Sequence, residues 1–178
     1  MSSGGDLVAR CCYRQNWFPP SRGQLRLDVD AGFDETNNRF SIGVVVRDYR
    51  GRVKWAKARA IRNPGSVKGA EITAIWFGLE FCMENDFSNV RVYSDSIQAI
   101  IAVNSPGEER GTKGAIALDV KDFLNGPKFL SVSHMRRTAN LVAHKLAHLA
   151  LSSDFSLDLS NSILPSWLDS LVSCDFNI

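Results

Sequence analysis

The sequence predicts an α/β domain built on a mixed five-stranded sheet with helices on its faces. Three observations carry that prediction. Strand-like segments follow one another between residues 24 and 61 with only short links, which makes an antiparallel meander. A long apolar segment over 69–84 then separates the meander from a short apolar run at 90–94, and strand–helix–strand order of this kind requires a parallel crossover. A further strand at 128–134 followed by a helical segment at 140–151 closes the pattern.

Taken in order, residues 1–16 are rich in Ser, Gly and Arg without periodicity and read as a disordered leader. Trp17-Phe18-Pro19-Pro20 marks the start of the fold, since prolines resist both helix and central strand. From Gln24 the pattern alternates, with Leu25, Leu27 and Val29 on one side and Arg26, Asp28 and Asp30 on the other. A loop over 32–38 leads to a strand at 39–47 with the apolar run Ile42 to Val46, and a turn through Asp48-Tyr49-Arg50-Gly51 leads to a strand at 52–61. The helix at 69–84 is apolar nearly all round, which predicts deep packing. Asp95-Ser96 opens a helix to about Val103, a polar loop covers 106–114, and a helix follows near 115–124. The expected string is β-β-β-α-β-α-α-β-α over a domain at 17–170, with a tail at 171–178.

At 178 residues there is room for one well-buried domain and little more. A hydrophobic content of 44% and a net charge of +2 describe an ordinary globular protein and announce no nucleic-acid binder. The distribution of charge says more, because between Arg47 and Lys68 there are eight Lys or Arg against one acid, Asp48. That stretch reads either as an edge strand kept from pairing by its charges or as a phosphate-facing patch. The four cysteines fit no disulfide framework or metal spacing, which points to a reducing compartment. The first twenty residues lack the apolar core of a signal peptide and no stretch is long enough to span a membrane, so an intracellular protein, cytoplasmic or nuclear, is expected.

Three acids stand out. Asp30 is expected to end the first strand, Glu71 to lie in the first turn of the long helix, and Asp95 to follow the fourth strand. If the fourth strand lies parallel beside the first, Asp30 and Asp95 emerge at the same end of the sheet. Each acid alone has an ordinary explanation, as an N-cap or as a partner of the helix dipole. Together, in apolar surroundings where a bare charge is costly, they fit an oxygen-lined site for a divalent cation.

These residues sit in a longer set of motifs. Leu27-Asp28-Val29-Asp30-Ala31-Gly32, Gly43-Val44-Val45-Val46-Arg47-Asp48, Ala70-Glu71, Tyr93-Ser94-Asp95-Ser96 and Arg137-Thr138-Ala139-Asn140-Leu141-Val142-Ala143-His144 occur in this order on the predicted elements. Over roughly residues 17–170 the chain resembles the type-1 ribonuclease H domain, in its plant retroelement-like, reverse-transcriptase-associated form. The resemblance implies a ribonuclease H-like fold and an endonuclease that hydrolyses the RNA strand of RNA–DNA hybrids with two Mg²⁺ ions, Mn²⁺ being able to substitute. Asp30, Glu71 and Asp95 are similar to the family's metal-binding acids, and such ions activate a water and hold the leaving 3′ oxygen. His134 resembles the family's mobile loop histidine, which assists proton transfer or product release; its other reading is a surface histidine at a strand end. The implied partner is an RNA–DNA hybrid, met by a monomer or by part of a larger reverse-transcriptase-like polyprotein.

One position departs from the family. Four residues after Asn140 the pattern has a fourth aspartate, and this chain has His144, which weakens the second metal site. His144 and His148 are spaced i, i+4, but no third ligand for a zinc ion accompanies them, and His148 reads as a helix-face residue. A Lys- and Trp-rich insertion used by some relatives as a substrate handle is absent, and Glu108 and Glu109 stand in that region. Hybrid binding is therefore expected to lean on Arg50, Arg52 and Lys54 of the basic stretch and on Arg136, Arg137 and Asn140. The rival to an enzyme is a catalytically weakened or inactive relic, kept as a nucleic-acid-binding or interaction module. A different phosphoryl-transfer activity on the same sheet is the third reading.

Overall fold

The computed structural model describes residues 17–62, 64–105, 112–152, 156–160 and 163–175. The leader at 1–16, the loop at 106–111 with its two glutamates, and residues 176–178 of the expected tail lie outside the described residues.

Three antiparallel strands open the domain: β1 (Leu25–Asp34), β2 (Arg39–Arg47) and β3 (Val53–Ile61). They are followed by α1 (Val67–Glu84), β4 (Val90–Ser94), α2 (Ile97–Asn104), α3 (Thr112–Leu124) and β5 (Phe129–His134). A 3₁₀ turn at Arg137–Ala139 precedes α4 (Leu141–Ser152), and β6 (Leu157–Ser160) and α5 (Ser166–Cys174) complete the order. The strands form one sheet in the order β5-β4-β1-β2-β3-β6, in which β4 runs parallel to both β1 and β5.

The sheet has six strands where five are expected. The extra strand, β6, pairs antiparallel with Trp55–Ala58 of β3. Its Leu-Asp-Leu-Ser alternation spans four residues, too short for a periodic signal to separate it from loop. Because β6 covers part of β3, the charges of the basic stretch do not protect a free edge there. Asp158 of β6 instead accepts from the Trp55 indole and pairs with Lys57. The boundary expected at residue 170 falls inside α5, which continues without a break to Cys174.

Both faces of the sheet are covered, which explains the long apolar runs. Leu27, Val29, Ile42 and Val44 pack with Ile72, Ile75 and Leu79 of α1 on one side. On the other, Val45, Ala56 and Ala58 pack with Val142, Ala143 and Leu146 of α4 and with Leu168 of α5. Gly43 makes the second packing possible, since a Cβ there would overlap the Ala143 carbonyl and the Ala147 amide. The backbone of α4 therefore lies directly on β2, beside the row that holds Asp30.

Candidate metal centre

Asp30 does not end β1. The strand runs on for four residues, because Asp30–Asp34 stay paired with β2 after β4 has stopped. Parallel pairing with β4 reaches only Val29 opposite Ser94, so Asp30 and Asp95 are the next residues on two adjacent strands. Asp95 is left free of capping duty, since Ser96 caps α2 by accepting from the Ala99 amide. Glu71 likewise loses its ordinary explanation. Ser66 caps α1, the helix starts at Val67, and Glu71 is its fifth residue, beyond the first turn.

The three acids meet. Asp30, Glu71 and Asp95 each offer a carboxylate oxygen within 4.8 Å of the other two. Asp30 and Glu71 are buried. The sequence-expected fourth ligand is also present, though in another role: His144 Nδ1 lies 2.8 Å from Asp30 Oδ2. Arg137 Nε donates to Asp95 Oδ2 at 2.9 Å. After those bonds, Asp30 Oδ1, Glu71 Oε2 and Asp95 Oδ1 remain buried without a hydrogen-bond partner among the described residues. Such oxygens are costly unless something positive approaches them, and three converging from three elements match the donor set of a hard divalent cation.

The electrostatics agree. Burial pushes Asp30 up to about 6, opposed by the bond to His144 and reinforced by the charge of Asp95. Burial, with the charges of Asp30 and Asp95, pushes Glu71 up to about 9. Burial also acts upward on Asp95, but the hydrogen bond from Arg137 and further polar contacts hold it below its usual range. Asp95 thus holds its negative charge most firmly, Glu71 favours the neutral form at neutral pH until a cation compensates it, and Asp30 lies between them.

The remaining expected residues divide. Asn140 is buried, and its Nδ2 donates to the Val29 carbonyl at 2.8 Å, tying the start of α4 to β1 next to Asp30. It is an internal brace and faces no solvent. His134 is exposed at the end of β5, in register with Ser94, so it stands at the acidic end of the sheet. Arg136 is exposed beside Arg137. Arg50, Arg52 and Lys54 lie at the other end: the row of Asp30 runs through Gly43 to Ala58, whereas these three belong to the β2–β3 turn and the first turn-side residues of β3. Level with the acids on β3 are Lys57 and Arg59, and both place their cations over the Phe77 ring of α1.

Sequence reasoning missed a second charged cluster on the same face of β1. Asp28 accepts from the Trp17 indole, from Arg26 and from Arg47, and Arg47 also donates to Asp175. Arg26 is packed against the rings of Trp17, Phe18 and Tyr93. The signal was available in the alternation itself, which puts Arg26, Asp28 and Asp30 on one side of a strand that is buried on both. Arg47, expected in a phosphate-facing patch, is in fact a core residue.

The comparisons with known proteins follow the same outline. A family model described as reverse transcriptase-like matches residues 28–150. No curated protein matches the sequence. Among solved structures, the chain is similar to RNase H1 from the halophilic archaeon Halobacterium salinarum NRC-1, with a TM-score of 0.62 and 19% identity over 73% of this chain and 98% of that one. It is similar to LC11-RNase H1, obtained from compost by a metagenomic approach and also solved with an RNA/DNA hybrid, with a TM-score of 0.62 and 20% identity over 72% of this chain and 97% of that one. It also resembles the prototype foamy virus protease-reverse transcriptase, with a TM-score of 0.58 and 17% identity over 79% of this chain but 23% of that one. These likenesses establish the fold as that of ribonuclease H. With the family match spanning most of the domain and the fold agreeing with it, the chain belongs to the reverse transcriptase-like family.

Proposed function

We propose that this protein is a divalent-metal-dependent endonuclease that hydrolyses the RNA strand of RNA–DNA hybrids, with Mg²⁺ as cofactor and Mn²⁺ able to replace it. One observation carries the reading: three acids from β1, α1 and the end of β4 converge with one unpartnered buried oxygen each. The hybrid-bound LC11-RNase H1, which shares the fold, supports the choice of substrate.

Asp30, Glu71 and Asp95 would hold the cation. Bound there, a divalent ion supplies an activated water and neutralises charge building on the phosphoryl oxygens. The chain's own residues do the rest. Arg137, already tethered to Asp95 and 64% exposed at its side chain, presents its outer nitrogens to a phosphate. His134, exposed at the same sheet end, exchanges protons with solvent as the P–O3′ bond breaks and the 3′ oxygen gains a proton. Arg136, Lys57 and Arg59 add positive charge along a backbone that crosses this end, where recognition rests on shape and 2′-hydroxyls. Arg50, Arg52 and Lys54 would meet a duplex only where it extends past the far end of the sheet.

The Asp30–His144 bond favours a second reading, in which the site is silent and the domain binds nucleic acid or a partner without cutting. Labelled hybrid, duplex DNA and duplex RNA, each incubated with Mg²⁺ or Mn²⁺, separate the two. Cleavage confined to the RNA strand of the hybrid, and lost in Asp30→Asn, supports the enzyme. Retained hybrid binding with no cleavage in either metal supports the silent module.

A further inference from the structure

Every acid of the triad has one oxygen engaged and one left over. Asp30 Oδ2 faces His144 Nδ1, and Asp95 Oδ2 receives the Arg137 Nε–H. Glu71 takes the backbone N–H of Ala31. The leftover atoms are Asp30 Oδ1, Glu71 Oε2 and Asp95 Oδ1. Two cations side by side need at least one carboxylate that bridges them with both oxygens, and further anionic oxygens on the outer side of each. Here the second oxygens of both aspartates are committed to groups from one short stretch, the 3₁₀ turn at Arg137 and the first turns of α4 at His144.

That stretch is firmly held. Asn140, midway between Arg137 and His144, is bonded to the Val29 carbonyl, and α4 lies against Gly43 without room for a side chain between them. His144 cannot leave Asp30 by a simple shift of the helix. Arg137 carries a permanent charge and a planar fork, so it remains an effective competitor for Asp95 at any working pH.

We infer that this site takes one divalent cation instead of two, with His144 and Arg137 occupying the carboxylate oxygens that a second ion would require. The inference rests on the metal-dependent reading above and deepens it. The three leftover oxygens form the ligand set for a single hard ion that keeps waters in its other positions. Arg137 then supplies, as a fixed side chain beside Asp95, the positive charge that a second ion would bring.

The test is the number of ions bound. The full chain is titrated with Mn²⁺ and free Mn²⁺ is followed by electron paramagnetic resonance, with and without a hybrid whose linkages resist cleavage. One equivalent per protein, beyond the Mn²⁺ that the hybrid takes up by itself, is expected in both conditions. The double variant Arg137→Ala/His144→Asp is expected to bind a second equivalent when the hybrid is present. Two equivalents in the wild type overturn the inference and leave the proposed nuclease standing. No binding in the wild type overturns the metal-dependent reading itself. A folded double variant that stays at one equivalent shows that these two residues are not what limits the site. The wild-type titration decides even where the double variant does not fold.

Discussion

Asp28 and Asp30 stand two residues apart on the same face of β1, both fully buried, and they are neutralised in opposite ways. Asp28 collects the Trp17 indole and two guanidiniums, from Arg26 and Arg47. Among the described residues, no guanidinium or indole reaches Asp30, which meets the ring of His144 and keeps one oxygen without a hydrogen-bond partner. One acid is closed by the protein and the other is left to be closed by something added. Their substitution should therefore have opposite consequences.

Asp28→Asn should be severely destabilising. It leaves Arg26 and Arg47 buried with too little negative charge, and breaking one side of a buried ion pair costs about 3–5 kcal/mol. In a domain of this size that corresponds to a melting temperature lower by roughly 10 °C. Thermal denaturation checks it, and a drop of only a degree or two would show that the cluster is less dry than its burial indicates.

Stability without metal should fall as pH rises. Glu71 and Asp30 have folded pKa values above their unfolded ones, about 9 against 4.5 and about 6 against 3.8. The folded state therefore binds more protons than the unfolded chain between those values, and the slope of stability against pH is negative there. Their contribution is fully present below about pH 4. Asp30's share is lost by about pH 6 and that of Glu71 continues to fall to about pH 9. Asp95, shifted downward, works in the other direction and is complete before that window opens. Glu71→Gln should flatten the fall, and added Mg²⁺ or Mn²⁺ should raise the melting temperature most at the alkaline end. Melting curves at a series of pH values with a chelator, then with metal, measure both effects.

His144→Asp should raise the Mg²⁺-supported rate. The substitution removes an imidazole nitrogen from beside Asp30 Oδ2 and returns a carboxylate oxygen, the ligand type that Mg²⁺ prefers. One such ligand, worth about 1.4 kcal/mol at the transition state, corresponds to roughly ten-fold in rate. Single-turnover cleavage by both variants in each metal reports it. A wild type that already prefers Mg²⁺, with nothing gained by the aspartate, would show that His144 is no deficiency.

Gly43→Ala should disturb the site without touching any acid. The added Cβ overlaps the Ala143 carbonyl and the Ala147 amide, so α4 must move off β2. Overpacking of this kind costs about 1–3 kcal/mol or more. The imidazole signals of His144 in an NMR spectrum should shift as its contact with Asp30 loosens. Unchanged signals in a folded variant would mean that the helix is positioned by other contacts.

The acids were legible from sequence because each is an unexplained charge among Val, Ile and Ala, and because one lies on a strand and another directly follows one. The packing of Glu71 was legible for the same reason, although Ser66 caps α1 so that the helix starts at Val67, two residues earlier than the apolar pattern suggests. The length of β1 was not. Gly32, Phe33 and Asp34 begin a segment with the composition of a loop, and they stay extended in pairing with Ser41, Phe40 and Arg39. Nor was the fate of Arg47, Arg137 and Asp175, whose partners lie many residues away and whose charge looks the same in sequence whether it faces solvent or a buried carboxylate. A run of basic residues describes a surface only after the fold has taken what it needs from it.

The cluster around Asp28 and Arg47 also settles how the folded unit is wired into its chain. Trp17 and Asp175 are the two outer anchors of the described fold, and both grip this one pair. The lead going in and the lead coming out are fastened at a single socket, so joining them by a short linker and opening the chain elsewhere should leave the core undisturbed.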